Sequence, residues 1–544
     1  MKQPVRTYFL AITFAIVSAT ANGGINTNLT QLTPLGVIGD SWAPTADSER
    51  VVFVAPGTTA QEIYSVRFDE PGEKIRLSRN GELNGAAEVV KFEVSEDSQH
   101  VVYTVLLPDI LEDSEWLLTV PIDGSTTPST LSMVKLGTLG GGGIAFAVSP
   151  TSDRVVYVET TVVEFPFTES ELFSQHITGG GSVTLHAASL GIGFEISRNG
   201  ARVVYLASSL TENSKIFSVL TGGGSSVQLN DDNDLPSRFS VGPNSQRVVF
   251  TAINQAGEDV TLSLQSAPIT GGGQTTLATP AVGITDFRIN NDTGIPRVVF
   301  VESTGSGQSR LVSVLITGGG VEDLTNGFVD GGISPFLFSP DGQRVVFQVI
   351  EILMTEGVDE FTAELFSAPV DGLGQGVPST FFEGFANDAM FNFIPSFDST
   401  RLLYGAIDVD VQGGALPGTR KLLSAGIEGG AAQTLVGPLS GNFRVSSFFP
   451  FLDSQNVFYL ADQEQDNVFE LYTVPIAGGP ITKQNNPLPA GGDVTSAFPT
   501  PDSSKLVYNA DQEEDGLFNL YLAPGGEEPT DVIFDCGGFE PSCN

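Results

Sequence analysis

Three short stretches gather carboxylates closely enough to hold a cation: Asp462-Gln-Glu-Gln-Asp466, Asp511-Gln-Glu-Glu-Asp515 and Asp408-Val-Asp410. Closely spaced hard oxygen ligands suit Ca2+. Asp408, Asp410, Asp462, Asp466, Asp511 and Asp515 are therefore the candidate metal ligands, and Ca2+ is the one cofactor the sequence suggests. Asp231, Asp232 and Asp234 form a further acidic group. None of these stretches has the twelve-residue EF-hand spacing with glutamate last. Solvated acidic loops are the competing reading in a chain with 64 Asp and Glu against 25 Lys and Arg.

Other chemistry is sparsely supplied. There are 3 histidines, His100, His176 and His186, too few and too scattered for a histidine-ligated metal. The Gly-x-Ser-x-Gly elbow of a serine hydrolase is absent. The glycine triplets lack the Gly-Lys-Ser/Thr that would cradle a phosphate, and they read as hairpin turns. No catalytic residue is assigned. Carboxylate pairs are too numerous to single out an acid–base couple. The formal charge of −39 repels phosphate backbones and excludes nucleic acid as a partner.

The start of the chain reads as a targeting signal. Lys2 and Arg6 precede an apolar stretch from Tyr8 to Val17, and Ala19-Thr-Ala21 offers a cleavage site; residues 1–21 read as a signal peptide. No later segment approaches the roughly 20 apolar residues of a spanning helix. Export to the periplasm or the medium is expected, with no transmembrane span. Cys536 and Cys543, the only cysteines, lie in a tail of residues 536–544 and are expected to pair in an oxidising compartment.

What must position these residues is a repeat occupying residues 22–535. Ten apolar triplets begin at Val51, Val101, Val155, Val203, Val248, Val298, Val345, Leu402, Val457 and Leu506. A period of about fifty residues signals a repeat architecture. Each unit has an apolar run, an Asx-rich turn, the triplet, a third run such as Glu364-Leu-Phe-Ser-Ala-Pro-Val370, a glycine turn such as Gly318-Gly-Gly320, and a last short run. Four strands per unit, apolar almost continuously, fit a propeller blade sandwiched between neighbours. The fold class is all-β, a β-propeller of ten four-stranded blades. One large ring is the expectation, and two smaller propellers the alternative. The basic residue before nine of the triplets, as in Arg344, reads as a structural turn-to-strand contact. Two segments compete to complete the last blade: Thr27-Asn-Leu-Thr-Gln-Leu-Thr33 and Thr530-Asp-Val-Ile-Phe534.

The motif Phe338-Ser-Pro-Asp-Gly-Gln-Arg-Val-Val-Phe347, followed by Glu-Leu-Phe/Tyr and a Gly-Gly turn, resembles the TolB-type β-propeller repeat over about residues 40–530. The resemblance implies the fold. That repeat serves scaffolds, peptidase gating domains and polysaccharide lyases, so it leaves function open. There is no room for the extra N-terminal domain of TolB itself.

Length varies most between the second and third strands of the units. Loops on a rigid scaffold gather function, so a functional face is expected from residues 104–115, 158–171, 348–363 and 405–420. Leu107, Ile110, Phe165, Phe167, Leu353 and Met354 are its candidate contacts for a protein or glycan ligand. The function expected is an exported, non-enzymatic scaffold. The alternatives are a glycan- or peptide-acting enzyme using carboxylates in a central channel, and a structural element of a coat or filament.

Overall fold

The structure, a computed structural model, describes residues 42–534 apart from 58, 71–72, 85–86, 109–112, 137–141, 165–166, 209–213, 257–258, 280–282, 305, 356–357, 373–378, 386–392, 407–419, 440–443 and 525–530. Ten antiparallel sheets, each in sequence order, form ten blades. Their first strands begin at Trp42, Glu88, Gly143, Gly191, Asp234, Gly283, Gly332, Phe393, Val445 and Val494. Blade 6 adds a fifth strand, Val329–Asp330.

The triplets explain why blades stack. In a strand, successive side chains point to opposite faces. Val51 and Phe53 pack against Val507 and Leu520 of blade 10, whereas Val52 packs against Val101 and Tyr103 of blade 2. The same division repeats through blades 4 and 5, where Val204 meets Val248 and Phe250. Every gap between neighbouring blades holds its own apolar cluster, the gap between blade 10 and blade 1 included. The ten blades therefore close into one ring, and the two-propeller alternative is discarded. Asp531–Phe534 pairs with Asn519–Pro524 and supplies the outer strand of the last blade. The competing segment, residues 27–33, lies outside the described residues, as do the signal peptide and both cysteines.

Two polar devices reinforce the ring. Six of the basic residues before the triplets (Arg154, Arg202, Arg247, Arg297, Arg344 and Arg401) donate Nε to the hydroxyl of a serine on the third strand of the same blade, at 2.7–2.9 Å. These are struts within a blade, from the end of the turn to the third strand. The second device lies in the turn between first and second strands. Ser48, Ser98, Ser152, Ser245, Ser399, Ser454 and Ser503 all hold φ between 56° and 60°. This is left-handed backbone that a serine adopts only against steric resistance. Each of the seven hydroxyls accepts a hydrogen bond from the backbone N–H of the turn in the preceding blade, at 2.9–3.1 Å. The contact from Asp502 to Ser48 joins the last blade to the first. Blades 4 and 7 place glycine here instead, because a Cβ at Gly200 would meet Thr151 at 2.6 Å and one at Gly342 would meet the Asp292 amide at 2.9 Å.

Candidate binding face and axial channel

The first strands of blades 2 and 3, and of blades 4 and 5, touch each other, which puts the first strands on the inner side of the ring. Such strands would leave an unpaired backbone edge, which folded proteins cover. Here charged side chains do it. Glu93 accepts the Val148 N–H at 2.9 Å, and Lys91 donates to the Phe146 carbonyl at 3.1 Å. Glu195 accepts the Val241 N–H at 3.1 Å, and Arg238 donates to the Phe287 carbonyl at 3.1 Å. The axis is open to solvent: Val90, in the first strand of blade 2, is 58% exposed. Bulges interrupt the pairing of these strands at Val90, Ser237, Thr285, Ser334 with Pro335, Ser446 and Thr495.

Burial raises several carboxyl groups. Glu195 is pushed up to about 7 by desolvation, offset in part by its bond from Val241. Glu96, in the turn of blade 2, is likewise pushed up to about 7 by burial, with Arg198 of blade 4 opposing. Glu115 is raised by burial while it accepts the Ile144 N–H at 3.0 Å. Arg238 and Arg288 also face the axis and share the carboxylate of Asp286.

The acidic loops turn out to be internal ties. Asp462 is buried and accepts N–H groups from Arg444 at 2.6 Å and Asn467 at 3.2 Å. Asp511, in the same place one blade on, is buried and accepts from Asp493 at 2.5 Å and Gly516 at 2.9 Å. Each carboxylate thus closes its own loop onto the start of the first strand of its blade. Asp466 and Asp515 are exposed. Asp408 and Asp410 lie outside the described residues. Asp231 and Asp232 are held by Gln274, Lys215 and Gln228. Among the described residues no group of three or more His, Cys, Asp or Glu is placed to hold a metal ion.

The expected loop-rich face is built differently from the loops read in the sequence. Residues 158–171 and 348–363 are mostly strand. In blade 7, Arg344–Thr355 and Val358–Pro369 pair without a break from Arg344 opposite Pro369 to Thr355 opposite Val358. The first strand follows only as far as Ile350, and the fourth only as far as Thr362. Beyond those points, among the described residues, the two strands pair only with each other and form a ribbon. Blade 3 does the same with Arg154–Glu164 and Phe167–His176, whose first strand stops pairing at Thr160. Blade 5 has a shorter version in Arg247–Ala256 and Asp259–Pro268. The reason is compositional: Thr160-Thr-Val-Val163 and Val349-Ile-Glu-Ile-Leu353 are β-formers that prolong the strand.

Leu353 and Met354 sit on the blade 7 ribbon and Phe167 begins the third strand of blade 3. Leu107 is buried between blades 1 and 2 and offers no surface to a partner. Ile110 and Phe165 lie outside the described residues. Two histidines pack against neighbouring side chains: Arg154 Nη1 lies 3.3 Å from His176 Nε2, and His186 stacks on Phe217 and lies tilted against Tyr205. Sequence reasoning missed the channel residues: Glu93 and Glu195 share one register position, and Lys91 and Arg238 another, but each position is charged in this way in so few blades that a repeat alignment averages it away.

No family model matches the chain, and no curated protein matches it. Solved structures do. The eukaryotic initiation factor crystal structure aligns at TM-score 0.45 and 11% identity, over 80% of this chain and 96% of that one. A putative TolB from Agrobacterium tumefaciens aligns at 0.25 and 14%, over 44% and 80%. The β-propeller domain of the Trilobed protease from Pyrococcus furiosus aligns at 0.30 and 11%, over 71% and 96%. These likenesses are of fold alone. The chain is a ten-bladed β-propeller, consistent with TolB-type repeats.

Proposed function

We propose that the chain is an exported scaffold that binds a protein partner across the face from which the ribbons of blades 3, 5 and 7 rise. The observation that carries this reading is the ribbon of blade 7. Two strands whose outer edges meet no further strand among the described residues are a template for an added strand. The ionisable groups of the first strands support a binding role over catalysis, since Glu93, Glu195, Lys91 and Arg238 are each engaged with the backbone of the next blade. Among the described residues no helix is long and apolar enough to cross a membrane.

The test replaces residues 351–362 with Asn-Gly, a two-residue turn that joins Ile350 to its partner Ala363. Photo-crosslinking from position 353 in the native medium identifies the partner, and its affinity is then measured. The trimmed protein should keep its melting temperature and lose the partner. Unchanged affinity would refute the ribbon as the contact. Turnover of a peptide or glycan panel, abolished by Glu195→Gln, would instead establish the enzyme reading.

A further inference from the structure

We infer a binding site for a small carboxylate on the channel wall of blades 5 to 7, distinct from the ribbon-bearing face. Its elements are Arg238 on Asp234–Val241, and Asp286 and Arg288 on Gly283–Ile289. Arg238 Nη1 lies 2.5 Å from Asp286 Oδ1, and Arg288 Nε lies 3.4 Å from Asp286 Oδ2. Two guanidinium groups share one carboxylate, so one positive charge is left over. The first strand of the next blade, Gly332–Phe338, contains no charged residue to cancel it.

The donors are already oriented. The Arg238 guanidinium lies 4.8 Å from the Phe287 ring centre, and that of Arg288 lies 5.2 Å from Phe336 on blade 7. Stacking on an aromatic face fixes the plane of the fork that reads carboxylates. Arg238 also spends Nη2 on the Phe287 carbonyl. The terminal nitrogens of Arg288 make no hydrogen bond among the described residues, and its side chain is 30% exposed. A partly desolvated guanidinium with two free parallel N–H groups calls for a bidentate acceptor.

The surroundings are polar and open. The bulged residues beside these groups are Ser237, Thr285 and Ser334, all exposed, on three consecutive blades. Ser237 already shares a hydrogen bond with Thr251 at 3.0 Å, so Thr285 and Ser334 are the hydroxyls left to bond the remaining lone pairs of a bound carboxylate. A singly charged carboxylate neutralises the site. Phosphate, which carries more charge at neutral pH, would leave a surplus inside a chain of formal charge −39, so carboxylate is the class assigned.

The test is calorimetry on the whole protein at constant ionic strength with benzoate, with neutral benzamide and with inorganic phosphate. Benzoate should bind and benzamide should not. Arg288→Gln removes the charge and the guanidinium fork while keeping a polar side chain, and should weaken benzoate at least about tenfold, the loss of a charge-assisted bidentate contact. Asp286→Asn removes the competing anion and should strengthen benzoate severalfold, a gain that a misfolded protein cannot produce. Arg67→Gln, at a surface pair with Asp69, should leave binding unchanged. Equal affinity in wild type and Arg288→Gln, weaker binding in Asp286→Asn, tighter binding of phosphate than benzoate, or no benzoate heat at about 10 mM would each overturn the assignment.

Discussion

Replacing Ser454 in two ways separates the hydrogen bond that joins blades 8 and 9 from the backbone strain that accompanies it. Ser454 is buried, holds φ at 57°, and accepts the Asp398 N–H at 3.0 Å. Ser454→Ala removes the acceptor and keeps the Cβ, so the strain remains and the amide loses its partner. A net hydrogen bond contributes about 0.5–1.5 kcal/mol, and an orphaned donor raises the loss toward about 2 kcal/mol. Ser454→Gly removes the same acceptor but also the Cβ. Left-handed backbone costs a non-glycine residue roughly 1–2 kcal/mol, from which about 0.5–1 kcal/mol of extra unfolded-state entropy is subtracted. The glycine variant should therefore sit within about 1 kcal/mol of wild type and above the alanine variant. That order inverts the usual preference for alanine over glycine. Urea denaturation followed by tryptophan fluorescence and circular dichroism reads it directly. An alanine variant as stable as wild type, or more stable than the glycine variant, would refute the account of why seven turns keep serine at a glycine position.

Three further outcomes follow from the same geometry. Because burial holds the Glu195 carboxyl up at about 7 against a usual value of 4.5, its ionisation opposes folding. Its contribution is therefore fully favourable below the unfolded value and is lost as pH rises through the folded one. Glu195→Gln, which can still accept from Val241, should match wild type near pH 4.5 and melt higher than wild type above pH 7. Asp462→Ala should cost about 1–3 kcal/mol by orphaning two amides. Because these amides already engage Asp462, chelator should leave the melting temperature of wild type unchanged; a drop on adding chelator would restore a structural cation to these loops. Arg401→Met should cost about 1–2 kcal/mol by removing the 2.7 Å bond to Ser424 inside blade 8, and equal stability would show the strut to be idle.

Repetition determined what could be read from the sequence. The triplet is legible because its alternation is enforced ten times by a neighbour on each side, so period, strand order and blade count follow from spacing alone. Ring closure was not legible: the residues that decide it, Trp42, Phe53 and Phe68 against Val507, Leu520 and Leu522, look like any other interblade set. The serine at the left-handed turn position recurs in the sequence too. Its meaning was hidden because serine carries no backbone signal of its own; glycine at the matching positions 200 and 342 was the available clue.

The variable segments were misread in kind. Length alone marks them as insertions, whereas the β-branched run from Thr160 to Val163 marks them as continued strand. The ties made by the acidic clusters were out of reach, because sequence shows that Asp462 and Asp511 are carboxylates but not that each meets two amides. The channel lies furthest from the reach of sequence reasoning. Lys91, Glu93, Glu195, Arg238 and Arg288 sit at register positions where most blades carry no charge, and each matters through a residue on the next blade. In a ring of near-identical blades, the positions that distinguish one sector from another are those where the pattern fails. Here those failures gather on the axis in blades 2 to 6, on the side where Arg238 and Arg288 share Asp286.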